Sequence, residues 1–247
     1  MQTMSPWHTG ELLAFDLETT GVERFSDVPV SFALVRMVDG VVVAHDTALV
    51  DPGRPIPPPA TAVHGITDAR ARSEGMPLAT AVAVVAAALL DASRRGVPIA
   101  GMKLDFDLTM VDACARHHLG FGLADAGFGG PVLDALVLDR HFDRFRKGRR
   151  TLGDLCAHYD VVIEHAHDAL ADARATLGVL EAMCRHFPDL AGAPPPDLHR
   201  WQADWHREWA ESFSQWRTRK GMSPLDANDW EWPIAGAPAE PFRRAAG

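Results

Sequence analysis

The sequence predicts an α/β fold, and three observations carry that prediction. The opening stretch is rich in β-branched residues and is broken by an Asp39-Gly40 turn signal. From there to Phe187, short apolar runs alternate with longer segments of helical period. Of the 247 residues 47% are hydrophobic and 23% charged, close to the globular average, which excludes a disordered or fibrous chain. The length exceeds a typical domain of about 150 residues, so one main domain with an appendage is expected.

The elements follow in order. Leu12-Leu13-Ala14-Phe15 reads as a first strand, and Val30 to Val38 with Val41 to Val50 as a hairpin across Asp39-Gly40. A Pro-rich loop covers Pro52 to Pro59. Pro77 to Ala92 is dominated by Ala, Val and Leu with Pro at its start, the pattern of a buried helix. Val97 to Ala100 and Val132-Leu133 read as strands. Phe106 to His118, Asp134 to Phe145, Thr151 to Tyr159 and His167 to Phe187 read as helices.

Composition changes at Ala193-Pro194-Pro195-Pro196, which cannot continue a helix. The expected organisation is a main domain over 8–190, a Pro-rich linker over 191–196, an amphipathic Trp-rich helix over 197–221 and an extended arm over 222–247. Six of the seven tryptophans follow residue 200. Trp201, Trp205, Trp209, Phe213 and Trp216 recur at helical spacing, an aromatic stripe expected to pack on the main domain or on a second subunit. Stacking on bases is the rival reading.

Charge narrows the functional classes. With 24 Lys and Arg against 33 Asp and Glu the chain carries −9, which disfavours passive coating of nucleic acid. It does not disfavour an enzyme whose carboxylates hold cations. Residues 139–150, DRHFDRFRKGRR, gather six Lys or Arg against two Asp. No apolar run reaches the roughly 18 residues that span a bilayer, and MQTMSPWHTGE lacks a signal pattern. Cys114, Cys156 and Cys184 form no CxxC pair, which fits reduced thiols. A cytoplasmic chain without a membrane partner is expected.

Three acidic groups could carry chemistry. Asp16 and Glu18 close the first strand, and residues two apart in a strand share a face, so two carboxylates stand side by side. Hard divalent ions take such oxygen ligands, although D-x-E alone fits a solvated turn equally well. Asp105 and Asp107 open the helix after Val97 to Ala100, with Asp105 a natural N-cap. His167, Asp168 and Asp172 open the last helix of the main domain. Five residues of helix are about 500° of rotation, so His167 and Asp172 converge only if His167 precedes the regular turns. Asp168 is assigned to the helix start.

The segments FDLETTG at 15–21, VHGIT at 63–67, Phe106-Asp107, L-x-x-L-C-x-x-Y at 152–159 and HDALADA at 167–173 together resemble the DEDDh 3′-to-5′ exonucleases, a family that includes the epsilon proofreading subunit of bacterial DNA polymerase III. The resemblance spans residues 11–187. It implies a ribonuclease-H-like mixed sheet flanked by helices, with Asp16, Glu18, Asp107 and Asp172 binding two divalent cations, Mg2+ or Mn2+. His167 matches the family's general base, and an imidazole with an unperturbed pKa of about 6.5 can take a proton from an attacking water. Thr19 and His64 match positions that contact the terminal nucleotide. Where relatives often carry Asn, this chain carries Lys103, whose ammonium could meet a phosphate or oppose a cation.

The resemblance implies release of nucleoside 5′-monophosphates from single-stranded or frayed ends, with DNA favoured over RNA, in proofreading or repair. Arg146, Lys147, Arg149 and Arg150 are then expected to contact the backbone. Rival readings are an exoribonuclease resembling oligoribonuclease or RNase T, and a module that docks on a polymerase or helicase, or on itself, through the Trp-rich helix.

Overall fold

The computed structural model describes residues 6–163 and 167–236. Strands β1 (Leu12–Thr19), β2 (Pro29–Val38) and β3 (Val41–Asp51) form an antiparallel meander. Asp39 and Gly40 both have positive φ, 52° and 75°, the backbone that a tight two-residue hairpin demands. Helices α1 (Pro58–His64) and α2 (Asp68–Glu74) follow, then the short β4 (Met76–Pro77) and α3 (Leu78–Arg95). Next come β5 (Ile99–Gly101), α4 (Leu104–Leu119), β6 (Val132–Asp134), α5 (Ala135–Phe142), α6 (Leu152–His158) and α7 (Ala169–His186). The chain continues through α8 (Pro188–Gly192) and α9 (Pro195–Arg219).

The sheet has six strands in the order β4-β3-β2-β1-β5-β6, with β5 parallel to both β1 and β6. This is a mixed sheet flanked by helices, a ribonuclease-H-like α/β fold. Its two faces bury separate cores. Leu12 and Ala14 point to the face covered by α7 with Leu180 and Met183, whereas Phe15 and Leu17 point to the face covered by α3 and α4 with Leu89 and Leu108. Period-two alternation therefore sends Asp16 and Glu18 toward α7.

Three expectations about the periphery are corrected. The Pro52 to Pro59 loop ends in α1, because Pro58 and Pro59 occupy its first turn, where the missing N–H costs nothing. The expected linker over 191–196 is two helix ends: α8 runs to Gly192 and α9 begins at Pro195, again with Pro in the first turn. The expected extended arm folds back over residues 222–236, with a 3-10 turn at Ala227–Trp230 and Trp232 only 9% exposed. Residues 237–247 lie outside the described residues. Among the described residues no helix is long and apolar enough to cross a membrane.

The seat of α9 is in part the expected one, with Trp205 stacked on His141 and Trp209 on Arg140 of α5, and in part different. Its buried stripe is Leu198, Gln202, His206, Ala210 and Ser214, one position round from the aromatic row, and Trp201 and Trp216 stay 41% and 42% exposed. The cause is the free edge of β6, whose outward polar groups need partners. Gln202, fully buried, supplies them: its Oε1 accepts from Asp134 N at 2.8 Å and its Nε2 donates to Val132 O at 2.8 Å. One side-chain amide thus stands in for a seventh strand. Gln202→Leu leaves a buried N–H and a buried C=O unpaired and is expected to cost about 3 kcal/mol. Urea unfolding measures this, and a loss near zero would show that α9 does not close the edge.

Candidate active site

Three elements bring the acids together. The end of β1 supplies Asp16 and Glu18, the first turn of α4 supplies Asp107, and the first turn of α7 supplies Asp172. The start of α4 is set from outside the helix. Lys103 adopts a left-handed conformation (φ 62°) and its N–H donates to Asp134 Oδ1 at 3.0 Å, while Leu104 N donates to Oδ2 at 2.8 Å. The same carboxylate caps α5 by accepting from Leu136 N at 2.9 Å. Asp105, expected as the cap, lies inside the first turn and is corrected: the role belongs to Asp134 because β6 ends beside β5 and aims its last side chain at the turn.

His167 precedes the first turn of α7, as convergence required. Its φ is 68°, and its N–H donates to Asp172 Oδ2 at 3.3 Å. Asp168 caps the helix through Leu170 N and Ala171 N, both at 3.1 Å. Potential ligand atoms of Glu18, His167 and Asp172 lie within 4.8 Å of one another. Asp172 Oδ1 is buried with no hydrogen-bond partner among the described residues.

The acids repel one another at close quarters. Burial, then the charges of Asp107, Asp172 and Glu18, push Asp16 well above the usual carboxylate range. Burial likewise raises Asp107, opposed mainly by Lys103. Glu18 rises to about 7 through burial, then Asp172 and Asp168. Burial raises Asp172 against the opposing His167 N–H and ring. Four crowded carboxyl groups, one with an orphaned oxygen, are a donor set suited to hard divalent cations.

The expected substrate residues divide. His64 ends α1 and lines a cleft of about 410 Å³ with Glu18, Phe32, Ile66 and His167. Its Nδ1 accepts from Ile66 N at 3.0 Å, and burial pushes its pKa down against an opposing interaction with the Thr19 backbone. Arg70 also lines this cleft, unforeseen in the sequence because it pairs with Glu74 as an ordinary i,i+4 partner. The Thr19 hydroxyl donates to Gly21 O at 2.7 Å, a local turn bond. Lys103 Nζ sits 5.1 Å from the Phe106 ring centroid, and its charge acts on Asp107.

The basic cluster is corrected in part. Arg146 donates to the fully buried Asp139 at 2.8 Å, and Arg150 bonds the same carboxylate and Asp143 O. A buried carboxylate requires such partners, so these two guanidinium groups turn inward. Tyr159 donates to the other oxygen of Asp139 at 2.8 Å, which accounts for the tyrosine of the L-x-x-L-C-x-x-Y segment. Lys147 and Arg149 remain exposed.

The returning arm also reaches the site. Arg24, after β1, pairs with Asp105 at 3.4 Å and with Asp229 at 3.0 Å. Trp232 Nε1 lies 3.5 Å from Asp134 Oδ2, and Ala235 N donates to Thr109 Oγ1 at 2.9 Å. Residues two hundred positions apart thus brace the turn that carries Asp107. Only long-range pairing reveals this, and no local sequence pattern marks it.

Residues 13–180 match the sequence model of the RNase_T family, described as exonuclease. The chain is 33% identical over 184 residues to a PolC-type DNA polymerase III of Lacticaseibacillus paracasei, a match covering 74% of this chain and 12% of the relative. It is 34% identical over 189 residues to a DNA polymerase III subunit epsilon-like protein of Rhodobacter capsulatus, covering 72% and 24%. The chain therefore spans a quarter or less of these curated relatives. Among solved structures, exonuclease I of Methylocaldum szegediense superposes with a TM-score of 0.61 at 25% identity, covering 73% of this chain and 42% of that one. Exonuclease I of E. coli in complex with a dA16 oligonucleotide gives 0.64 at 21%, covering 80% and 44%, a likeness of fold.

The raised Glu18 sets a pH dependence. Between its ordinary value of 4.5 and about 7, the unfolded chain has lost a proton that the folded chain keeps. Glu18 therefore adds stability below this window, and the contribution is lost as pH rises through about 7. In EDTA, wild type should gain stability relative to Glu18→Gln as pH falls across the window, and a saturating divalent cation should remove the difference. Parallel urea-unfolding profiles for the two proteins in EDTA would contradict the assignment.

Proposed function

The chain belongs to the RNase_T exonuclease family, within its DnaQ-like 3′-to-5′ exonucleases, and from that premise we propose that it releases nucleoside 5′-monophosphates from DNA ends by a two-metal mechanism. One observation carries the reading: four gathered carboxyl groups that burial and neighbouring acids raise above their ordinary range, with an orphaned Asp172 oxygen, beside an exposed histidine. Asp16, Glu18, Asp107 and Asp172 would hold two cations, Mg2+ or Mn2+, which when bound supply charge stabilisation for the attacking and leaving oxygens.

The chain's own residues perform the remaining work. His167, held against Asp172 by its backbone N–H, takes the proton of the attacking water on a ring nitrogen and passes it to solvent. Its left-handed backbone keeps the ring at the cleft rather than on the helix. His64 and Ile66 line the cleft beside Glu18, where a terminal nucleoside packs against an imidazole ring and an apolar wall. Thr19 shapes the backbone that follows Glu18. Lys103, whose charge acts on Asp107, offsets part of the carboxylate charge and lowers demand for a cation there.

DNA is the favoured polymer, since the relatives are DNA polymerase III chains and exonuclease I is described with deoxyoligonucleotides. Proofreading or repair is the corresponding setting. Three buried, unpaired cysteines support a reducing compartment such as the cytoplasm.

Oligonucleotides labelled at the 3′ or the 5′ end, incubated with Mg2+, test the direction. Early mononucleotide release from the 3′ label is expected, and EDTA should stop it. His167→Ala should lower kcat by about two to four orders of magnitude without lowering Tm. Activity that survives both changes would remove the mechanism. Matched DNA and RNA oligomers in competition test the polymer, and preferential loss of the RNA would reverse that assignment.

A further inference from the structure

A second groove, of about 450 Å³, runs between α5 and α9 outside the acid site. Its floor holds Arg140, whose guanidinium stacks 3.6 Å from the Trp209 ring centroid. Arg140 has no carboxylate within ion-pair distance among the described residues, although burial pulls its pKa down to about 10. A desolvated cation without a partner anion is a costly arrangement, and the flat ring fixes its N–H donors in place. Arg144 lies on the rim, exposed and likewise without an ion pair among the described residues. His141 stacks on Trp205 at 3.7 Å and forms the opposite end of the floor.

The acids that face this groove are few. Glu208 lies beside His141, and Asp134, Asp105 and Asp139 act on Arg140 only at a distance. Arg150 also borders it but is committed to Asp139. Lys147 and Arg149, which follow Arg144 in the chain, are also exposed. The acid site itself offers little to hold a strand: Arg70 is paired with Glu74, and Lys103 acts on Asp107.

Resting on the exonuclease reading, we propose that the α5–α9 groove binds the phosphodiester backbone of a single strand whose 3′ end lies in the acid site, with Arg140 and Arg144 as the phosphate contacts. The helices that carry the two places are linked through Asp134, which caps both α4, the helix of Asp107, and α5, the helix of Arg140. The aromatic row favours a single strand over a duplex or an acidic peptide. Trp209, Phe213 and Trp216 stack successively at 5.2 and 5.5 Å, and the row ends in exposed rings at Trp216 and Trp201. An unpaired base can extend such a column, whereas a paired base keeps its faces inside the duplex.

The test separates this groove from the chemistry. In a His167→Ala background with Mg2+, fluorescence anisotropy measures binding of a trinucleotide and of an oligothymidylate of about twenty nucleotides. Arg144→Glu should weaken the long oligomer about tenfold and reduce its log-log salt slope by about 0.7, leaving the trinucleotide unchanged. Arg140→Gln should act alike, with Tm as the control for folding. In the active protein, Arg144→Glu should raise KM for the long substrate and leave kcat unchanged. Equal affinities across wild type and both variants would overturn the groove, as would preferential capture of a polyglutamate peptide, which marks a protein-docking surface. Absence of nuclease activity with length-dependent binding intact would instead sink the exonuclease reading and spare the groove as a strand-binding surface.

Discussion

One buried carboxylate holds the arrangement together. Asp134, fully excluded from solvent, accepts backbone N–H bonds from Lys103, Leu104 and Leu136, while its own N–H is held by Gln202. It joins the edge strand β6, the starts of α4 and α5, and the seat of α9. Burying an ion is costly, and several charge-assisted bonds of about 1.5–3 kcal/mol each are the scale needed to offset it. The position of Asp107 depends on this anchor, because Asp107 lies in the first turn of the helix that Asp134 caps.

The anchor allows the site to be unfavourable. Asp16, Glu18, Asp107 and Asp172 are held in an unfavourable arrangement, since burial and the charge of neighbouring acids raise all four above their ordinary range. They remain close because they sit on three independently fixed elements, two of them on β1. β1 is paired on both sides, α4 is capped and braced by Arg24 and Trp232, and α7 is capped by Asp168. Rigidity bought by hydrogen bonds outside the site thus holds a charge pattern that cations would relieve.

Much of this was legible in the sequence because it is local. The Asp39-Gly40 turn, the β1 alternation that pairs Asp16 with Glu18, and the Asp168 cap follow from periodicities of two and 3.6 residues. The convergence of His167 with Asp172 required a break from helical geometry, and φ at His167 provides it. What escaped is non-local. Asp134 reads as the first residue of a helix, Gln202 as one polar residue in a Trp-rich helix, and Arg146 and Arg150 as exposed contacts for a phosphate backbone. Each takes its role from a partner that the chain brings near only on folding.

The same distinction explains why net charge was a weak guide. An excess of carboxylates repels a phosphate backbone only where those carboxylates face it unpaired. Here Asp139 consumes two guanidinium groups in the interior, and the four site acids form a donor set for cations, so neither group contributes its formal charge to the surface a strand would meet. The sign of the field at a place depends on which charges are paired there. Arg140 and Arg144 count for more than their number because no carboxylate within ion-pair distance offsets them among the described residues. Folding therefore turns an acidic chain into one with a cluster of four carboxyl groups and a separate groove that holds Arg140, linked through the carboxylate that caps α4 and α5.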